Sequence, residues 1–269
     1  MKNIITILLL LSCVLLGKAQ NEVSKWLKVV SAQQGIAIEW QERPTSFAKK
    51  GIKSFVGYYK GDFVASLSVG KSVSGSFNYQ GTSYEISDSK GQLVFYKSEQ
   101  GICGNQDKEP HRHSAFARPI LAAEEAQPEI ANTQVLRVYR LAMHIPYSTF
   151  SRYYFDSKIE KVKTFWADTE AFLNEMYMRD LGVRFEVVND ERLIIKDATK
   201  ETFASTRNAS YVKDNSTIVI NNLIGENSYD VGISLVYTSS QQSGIRGLAY
   251  LEGVYQPNTK ADAVAVLTK

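Results

Sequence analysis

The sequence predicts an α+β protein in two parts, a small antiparallel β domain followed by an α/β domain. Short stretches rich in β-branched and aromatic residues recur between positions 36 and 96, with turn residues between them. Such short strands favour a small antiparallel sheet. Further along, apolar residues recur three and four apart over residues 158–179, between two predicted strands. A strand, a helix and a strand in succession favour a crossover unit in a partly parallel sheet.

Residues 1–19 have the features of an export signal. The chain starts with a positive charge, residues 4–11 are an almost unbroken apolar run, and Ala19 ends a small-residue cleavage site. The run is too short to span a bilayer, so we expect cleavage before Gln20 and a secreted product without a transmembrane anchor. A lipoprotein box at Cys13 is the alternative, and the continuation of the apolar run past Cys13 argues against it.

The composition is that of a globular protein. Apolar residues make up 44% of the sequence and aromatic residues 11%, which is enough for packed cores. Removing Lys2 and Lys18 with the leader lowers the formal charge from +3 to +1. This balance gives no reason to expect a nucleic acid or an acidic membrane as a partner.

Residues 20–100 are expected to form the β domain. An amphipathic helix is predicted over residues 22–30, ahead of the strands. Gly70-Lys71, Gln80-Gly81 and Lys90-Gly91 are turn signals between strands. The predicted strands cover residues 36–40, 63–69, 73–79, 83–86 and 92–96.

Residues 101–133 are expected to form a linker, because they are polar, contain Pro and show no periodicity. Arg112 and Arg118 are the predicted processing sites, since proteolysis concentrates in exposed segments. Cys103 is the only cysteine left after the leader, so an internal disulfide is excluded. Its thiol is either buried and inert, part of an intermolecular bridge, or available to a metal or an electrophile.

Residues 134–269 are expected to form the α/β domain. The helix over residues 158–179 buries one apolar face, and its charged residues Glu160, Lys161, Lys163 and Asp168 are predicted to be solvated. His144 is predicted to be a capping or surface residue. The predicted strands of this part cover residues 134–143, 183–188, 193–195, 217–220, 232–237 and 247–254.

From about Val135 onward the sequence resembles the adamalysin/reprolysin branch of the metzincin zinc endopeptidases. Many relatives carry a His directly after the position of Gly232, where this chain has Ile233. Four segments carry the resemblance in the family's order: Leu136–Ala142, Phe172–Phe185, Ser228–Gly232 and Gly247–Tyr250.

The resemblance implies a secreted metallopeptidase zymogen that acts on peptides or proteins and is released by an activating protease. Residues 20–100 resemble the family's β-rich propeptide, and Cys103-Gly104 stands where an inhibitory cysteine would bind the catalytic zinc. The last of the four segments, made of Gly247, Leu248, Ala249 and Tyr250, resembles the edge strand that pairs with substrate.

The family's zinc motif H-E-x-x-H-x-x-G-x-x-H is missing from this sequence. The three histidines are His111, His113 and His144, and the first two make at most an incomplete metal pair. We therefore expect an N-terminal part of a longer zymogen, truncated before the zinc-binding helix and inactive as given, with zinc ligands outside this chain. The alternative is a secreted, non-catalytic peptide-binding or adhesion protein with a dead peptidase-like domain.

Overall fold

The computed structural model describes residues 23–97, 102–103, 136–203, 208–238, 245–250 and 256–267. Its contacts divide the chain into two compact units, and the long helix contributes to both. The first unit contains Met1–Glu99 and Lys158–Phe172. The second contains Gln100–Ser157 and Leu173–Lys269. The structure is mixed α+β, with one antiparallel and one mixed sheet, which confirms the predicted fold class.

The first unit is built on six antiparallel strands that follow one another in chain order. Three of the hairpins turn through two residues with positive φ, Lys60-Gly61, Gln80-Gly81 and Lys90-Gly91. Two successive residues with positive φ match the right-handed twist of the flanking strands, which explains the glycine at the second position. The strands are β1 Glu39–Arg43, β2 Lys53–Tyr59, β3 Asp62–Val69, β4 Val73–Tyr79, β5 Thr82–Ser89 and β6 Gln92–Lys97.

One face of this sheet is apolar and packs against helix α1, residues 23–34. Val30 of the helix and Leu67 of β3 are fully buried in this core. Trp40 of β1 joins the same face, where its indole N–H donates to Ser31 of α1 over 3.3 Å. The alternation of strand side chains places a different set of residues on the opposite face.

The opposite face carries two rows of serines, with the fully buried Val56 beside Ser66 in the second row. Cross-strand pairing aligns Ser54, Ser68, Ser74 and Ser87 in one row across four strands. A second row, two residues further along the strands, contains Ser66, Ser76 and Glu85. We call the six serines of these two rows the serine face. Helix α3, Ile159–Leu181, contacts this side through its first half, where Ser54 donates to the Ala167 carbonyl over 3.4 Å.

The second unit contains a six-stranded mixed sheet in the order β7-β11-β12-β10-β8-β9. All neighbours are parallel except β11 and β12. The parallel pairing of β8 with β9 confirms the predicted crossover unit. The strands are β7 Ile102–Cys103, β8 Arg137–His144, β9 Val183–Val187, β10 Val231–Tyr237, β11 Ile245–Ala249 and β12 Ala263–Leu267.

Two helices complete this unit, α2 Tyr147–Arg152 and α4 Ala209–Ile224. Val212 of α4 packs with Val236 of β10 and Val264 of β12 in a small apolar cluster. No helix in the described part of the chain is both long and apolar enough to cross a membrane.

The strand predicted over residues 217–220 is wrong, because these residues lie in the middle of α4. Their β-branched side chains favour a strand locally. However, Val212, Ser216, Ile220 and Ile224 are buried at intervals of four residues, and burial of this helical stripe overrides the local preference.

The strand predicted over residues 193–195 is also wrong. Glu191–Leu193 is a 3-10 helix, and only Ile194 makes an isolated bridge, to Ile145. Sequence reasoning also missed β2 and β12, although both are rich in aromatic or β-branched residues.

Candidate functional site

The structure brings together two of the residues singled out in the sequence, Cys103 and Gly247. Strand β7 lies beside β11 in parallel, and Cys103 pairs with Gly247 in the register of the two backbones. The preceding pair joins Ile102 to Ile245, with an irregularity between the two pairs. A segment from the predicted linker therefore runs along the predicted substrate strand.

The other side of β11 pairs antiparallel with β12. Gly247 faces Ala265, Leu248 faces Val264 and Ala249 faces Ala263 in this register. Among the strands that the structure describes, β7 is the second neighbour of β11, and it pairs at Ile245 and Gly247. The side of β11 that β7 occupies is the side along which an extended peptide would pair. The substrate role of Gly247–Tyr250 stays a prediction.

Helix α4 anchors the end of this edge. The hydroxyl of Thr217 accepts a hydrogen bond from the Ala261 N–H over 2.9 Å, directly before β12. One residue on, the Asp262 carbonyl accepts from the Tyr250 N–H over 2.8 Å. The ring of Tyr250 is half exposed, and the Lys213 ammonium of α4 lies 5.6 Å from its centroid. The edge therefore ends on a backbone that α4 holds in place.

At the opposite edge of the same sheet, a side chain binds the backbone of one strand residue. Asn174 of α3 accepts from the Phe185 N–H over 2.7 Å and donates to the Phe185 carbonyl over 2.9 Å. Its amide thus satisfies both backbone groups of one β9 residue, as a neighbouring strand would. Sequence reasoning did not identify this role, because an Asn in a helix gives no signal of the strand it faces.

The prediction that His144 is a capping or surface residue is wrong. His144 is fully buried at the end of β8. Its Nδ1 lies 3.3 Å from the Ser234 hydroxyl, and its Nε2 lies 3.3 Å from the Thr202 hydroxyl. The Ser234 hydroxyl lies 2.7 Å from that of Ser216, which extends the network to α4. Burial lowers the pKa of His144 to about 3, so the imidazole is neutral.

Two predicted solvated residues of α3 are also buried, Lys161 and Asp168, which are 7% and 6% exposed. Burial raises the pKa of the Asp168 carboxyl well above its usual range. A hydrogen bond from Ser66 opposes this shift, and the charge of Glu85 adds to it. The prediction failed because the serine face covers a side of α3 whose residue types are typical of a surface.

The described residues do not fit a zinc site. They include no group of three His, Cys, Asp or Glu side chains that could hold a metal ion. His144 is their one histidine, and hydroxyls engage both of its ring nitrogens. The remaining sequence-derived candidates, Ala19, Arg112, Arg118 and the pair His111 and His113, lie outside the described residues.

Comparison with protein families supports the resemblance found in the sequence. Residues 166–269 match a family model described as metallo-peptidase family M12B, reprolysin-like. The match begins within α3, extends past β12 and includes Gly247–Tyr250, and it does not include Cys103. No curated protein matches the chain. The predicted resemblance of the second half to reprolysin-type metallopeptidases is thereby confirmed.

Proposed function

From the resemblance of residues 166–269 to M12B metallopeptidases, we propose that this protein belongs to a secreted zinc metalloendopeptidase zymogen. Its substrates are peptides or proteins, as for peptidases of that family. The segment around Cys103 keeps the β11 edge closed, and a cut between residues 104 and 134 opens it. Arg112 and Arg118 are the preferred positions for this cut, because both are targets of trypsin-like activating proteases.

The pairing of Cys103 with Gly247 is the observation that supports latency. An extended peptide binds a sheet edge through backbone hydrogen bonds, and each edge accepts one strand. A segment already paired with β11 competes with any substrate for the same backbone groups. The linker therefore acts as a tethered competitor, whose local concentration stays high until the chain is cut.

The contrast between the two edges of the sheet also supports this proposal. Asn174 closes the β9 edge from a helix in the middle of the chain, so proteolysis of the linker leaves it in place. The β11 edge is closed by β7, which lies within the predicted linker. A cut in the linker can remove the second closure alone, and this supports the proposal that substrate binds at β11.

Zinc enters the proposal through the family alone. Because the described residues hold no suitable ligand set, we assign them no catalytic step. Their part is to bind an extended peptide along β11 once β7 has left it, and to exclude that peptide before activation. The ring of Tyr250 and the Lys213 ammonium would border that peptide at the end of the strand.

The second candidate is a secreted peptide-binding protein that does not hydrolyse its ligand. The absence of a metal-holding group among the described side chains favours it. Both candidates use the β11 edge, so peptide binding alone does not separate them. Zinc content and peptide hydrolysis distinguish the two candidates.

The test uses the natural gene product purified from its host, before and after a cut in residues 104–134. The metallopeptidase proposal predicts one zinc ion per molecule, and peptide hydrolysis that rises at least about tenfold after the cut. Zinc-free protein that binds peptides without cleaving them would establish the second candidate instead. N-terminal sequencing of the same sample checks export, with a mature chain expected to begin at Gln20.

A further inference from the structure

Strand β1 lies at one edge of the first sheet, and the proposed function gives that edge no role. Among the strands that the structure describes, β1 pairs with β2 alone. An edge strand carries a row of backbone N–H and C=O groups that can pair with another chain. The side chains beside those groups decide which partner fits.

The hairpin after β2 determines which backbone groups of β1 face outward. Lys60-Gly61 is a two-residue turn, so Tyr59 directs its backbone groups to β3, and every second residue of β2 does likewise. The residues between them pair with the odd-numbered residues of β1, whose backbone groups therefore face β2. Those of Trp40 and Glu42 consequently face outward from the sheet.

The side chains of β1 are arranged to fit a second copy of the same strand. When two β1 strands run antiparallel with Gln41 at the centre, Glu39 of each copy lies opposite Arg43 of the other. Trp40 then lies opposite Glu42, so the outward backbone groups of the two copies meet directly. Opposite charges across two strands stabilise their pairing, whereas a parallel arrangement would place like charges side by side.

Both charges of this arrangement lie on one face of the sheet, because side chains two and four residues apart in a strand share a face. The Arg43 guanidinium donates to Oε1 of Gln41 over 3.0 Å and to the Tyr58 hydroxyl over 2.9 Å. Glu39 is exposed and stands opposite Tyr58 in the β1–β2 register. Since Arg43 is already held beside the edge, an ion pair there requires less loss of side-chain entropy.

On the other face, a shallow groove of about 480 Å³ continues from the edge. Helix α1 and residues 35–40 form it, and its lining includes Leu27, Ile38 and Trp40. In the same register, Ile38 lies opposite Pro44 of the second copy. A proline is tolerated at this position because an edge strand needs no inward N–H there, and its ring would cover the end of the apolar groove.

We propose that this chain forms a symmetric dimer in which two β1 edges pair antiparallel about Gln41. The arrangement joins two six-stranded sheets into one continuous sheet. Because the same edge is used on both copies, the contact closes at two chains. This inference goes beyond the proposed function, since neither zinc, nor β11, nor a cut in the linker enters it.

Charge reversal tests the dimer in the full chain. Glu39→Arg brings two arginines together at each paired position, and Arg43→Glu brings two carboxylates together. Each variant alone should therefore have a dimer dissociation constant at least about tenfold higher than that of the wild type. A mixture of the two variants restores opposite charges at both positions, so dimers should return. Sedimentation velocity over a concentration series measures all four samples.

A wild-type chain that stays monomeric throughout this series would overturn the proposal. Equal association of the wild type and both single variants would also overturn it, because the contact would then lie elsewhere. Assemblies that grow beyond two copies would indicate open-ended pairing, such as β1 with β6, and would contradict a closed dimer. Circular dichroism establishes that each variant is folded.

A cross-link tests the register with both charges in place. The two-fold axis places the Cα atoms of residue 41 in the two copies about 4.5 Å apart, which is within the range of a disulfide. Gln41→Cys should therefore give a covalent dimer under mild oxidation. Glu42→Cys is the matched control, because residue 42 lies opposite Trp40, and the cysteines of the wild type set the background. Equal cross-linking of the two variants would contradict the proposed register.

Discussion

The backbone of Cys103 pairs in parallel with that of Gly247 at the edge of the second sheet. One residue comes from the predicted linker and the other from the strand predicted to bind substrate. In the proposed zymogen, this pairing would inhibit substrate binding without any contribution from the thiol. A tethered strand occupies the backbone groups that a substrate strand would need.

Asn174→Ala should open the edge of β9. The change removes two hydrogen bonds to the backbone of Phe185, and we expect a loss of about 1–2 kcal/mol in the free energy of unfolding. The exposed edge should also promote association between chains, since unpaired strand edges template further pairing. Urea denaturation and static light scattering measure the two effects.

Asn215→Ala is the control for this substitution. Asn215 makes a single hydrogen bond from its amide to the Tyr211 carbonyl on the exposed side of α4. Loss of this hydrogen bond should lower the free energy of unfolding only slightly and leave light scattering unchanged. Equal scattering from both variants would show that Asn174 does not protect the edge.

Protonation of His144 should make the second unit sensitive to acid. The pKa of His144 is about 3 in the fold, against 6.5 for an ordinary histidine. Below pH 6.5 the unfolded chain binds a proton that the folded chain refuses until about pH 3. As the pH is lowered from 6.5 to about 3, this residue therefore reduces the free energy of unfolding by about 1.4 kcal/mol per pH unit.

His144→Gln tests this dependence, because Gln keeps hydrogen-bonding groups and does not titrate. The variant should be less stable than the wild type at neutral pH, with a shallower loss of stability towards acid. Urea denaturation across the window gives both slopes. Identical slopes would mean that another group causes the acid sensitivity.

Asp168→Asn should stabilise the uncut chain at alkaline pH. Because the pKa of Asp168 is raised, the fold favours its protonated form, and this contribution to stability is lost as the pH rises. The advantage of the variant should therefore grow as the pH increases and shrink towards pH 4. Thermal unfolding against pH, with Glu160→Gln as the reference, measures it. An advantage that is constant with pH would contradict a buried titrating carboxyl.

Two glycines of neighbouring parts of the sheet should respond differently to alanine. A Cβ at Gly232 would lie 2.5 Å from that of Ala261 and 3.1 Å from a methyl of Ile220. Among the described residues, a Cβ at Gly247 would meet the Val264 carbonyl alone, at an ordinary 3.6 Å. Gly232→Ala should cost about 2 kcal/mol, whereas Gly247→Ala should fold normally. If urea denaturation shows equal losses of unfolding free energy in the two variants, then a Cβ at Gly247 also meets close contacts.

The local signals of the sequence were sufficient for much of the fold. The turns Gln80-Gly81 and Lys90-Gly91 located two hairpins, because few residue pairs tolerate two successive positive φ angles. The apolar periodicity of α3 located the longest helix. These features depend on residues close to one another in the chain.

The predictions that were wrong or missing concern residues whose surroundings are set by other parts of the chain. Asp168 and Lys161 have surface residue types, yet both are buried, and Ser66 of the serine face contacts Asp168. Likewise, Asn174 contacts Phe185 because the chain turns back from α3 into β9, and no pattern in the sequence indicates that contact. The pairing of Cys103 with Gly247 joins segments more than a hundred residues apart, although each was singled out separately.

Hydrogen exchange of residues 245–249 tests the central claim most directly. Cys103→Pro removes the backbone N–H of a β7 residue without cutting the chain, and Asp107→Pro is the control beyond the strand. We expect exchange at least about tenfold faster at residues 245–247 in Cys103→Pro, with protection restored by a synthetic peptide of residues 98–107. Unchanged exchange in that variant would contradict a linker segment that closes the β11 edge.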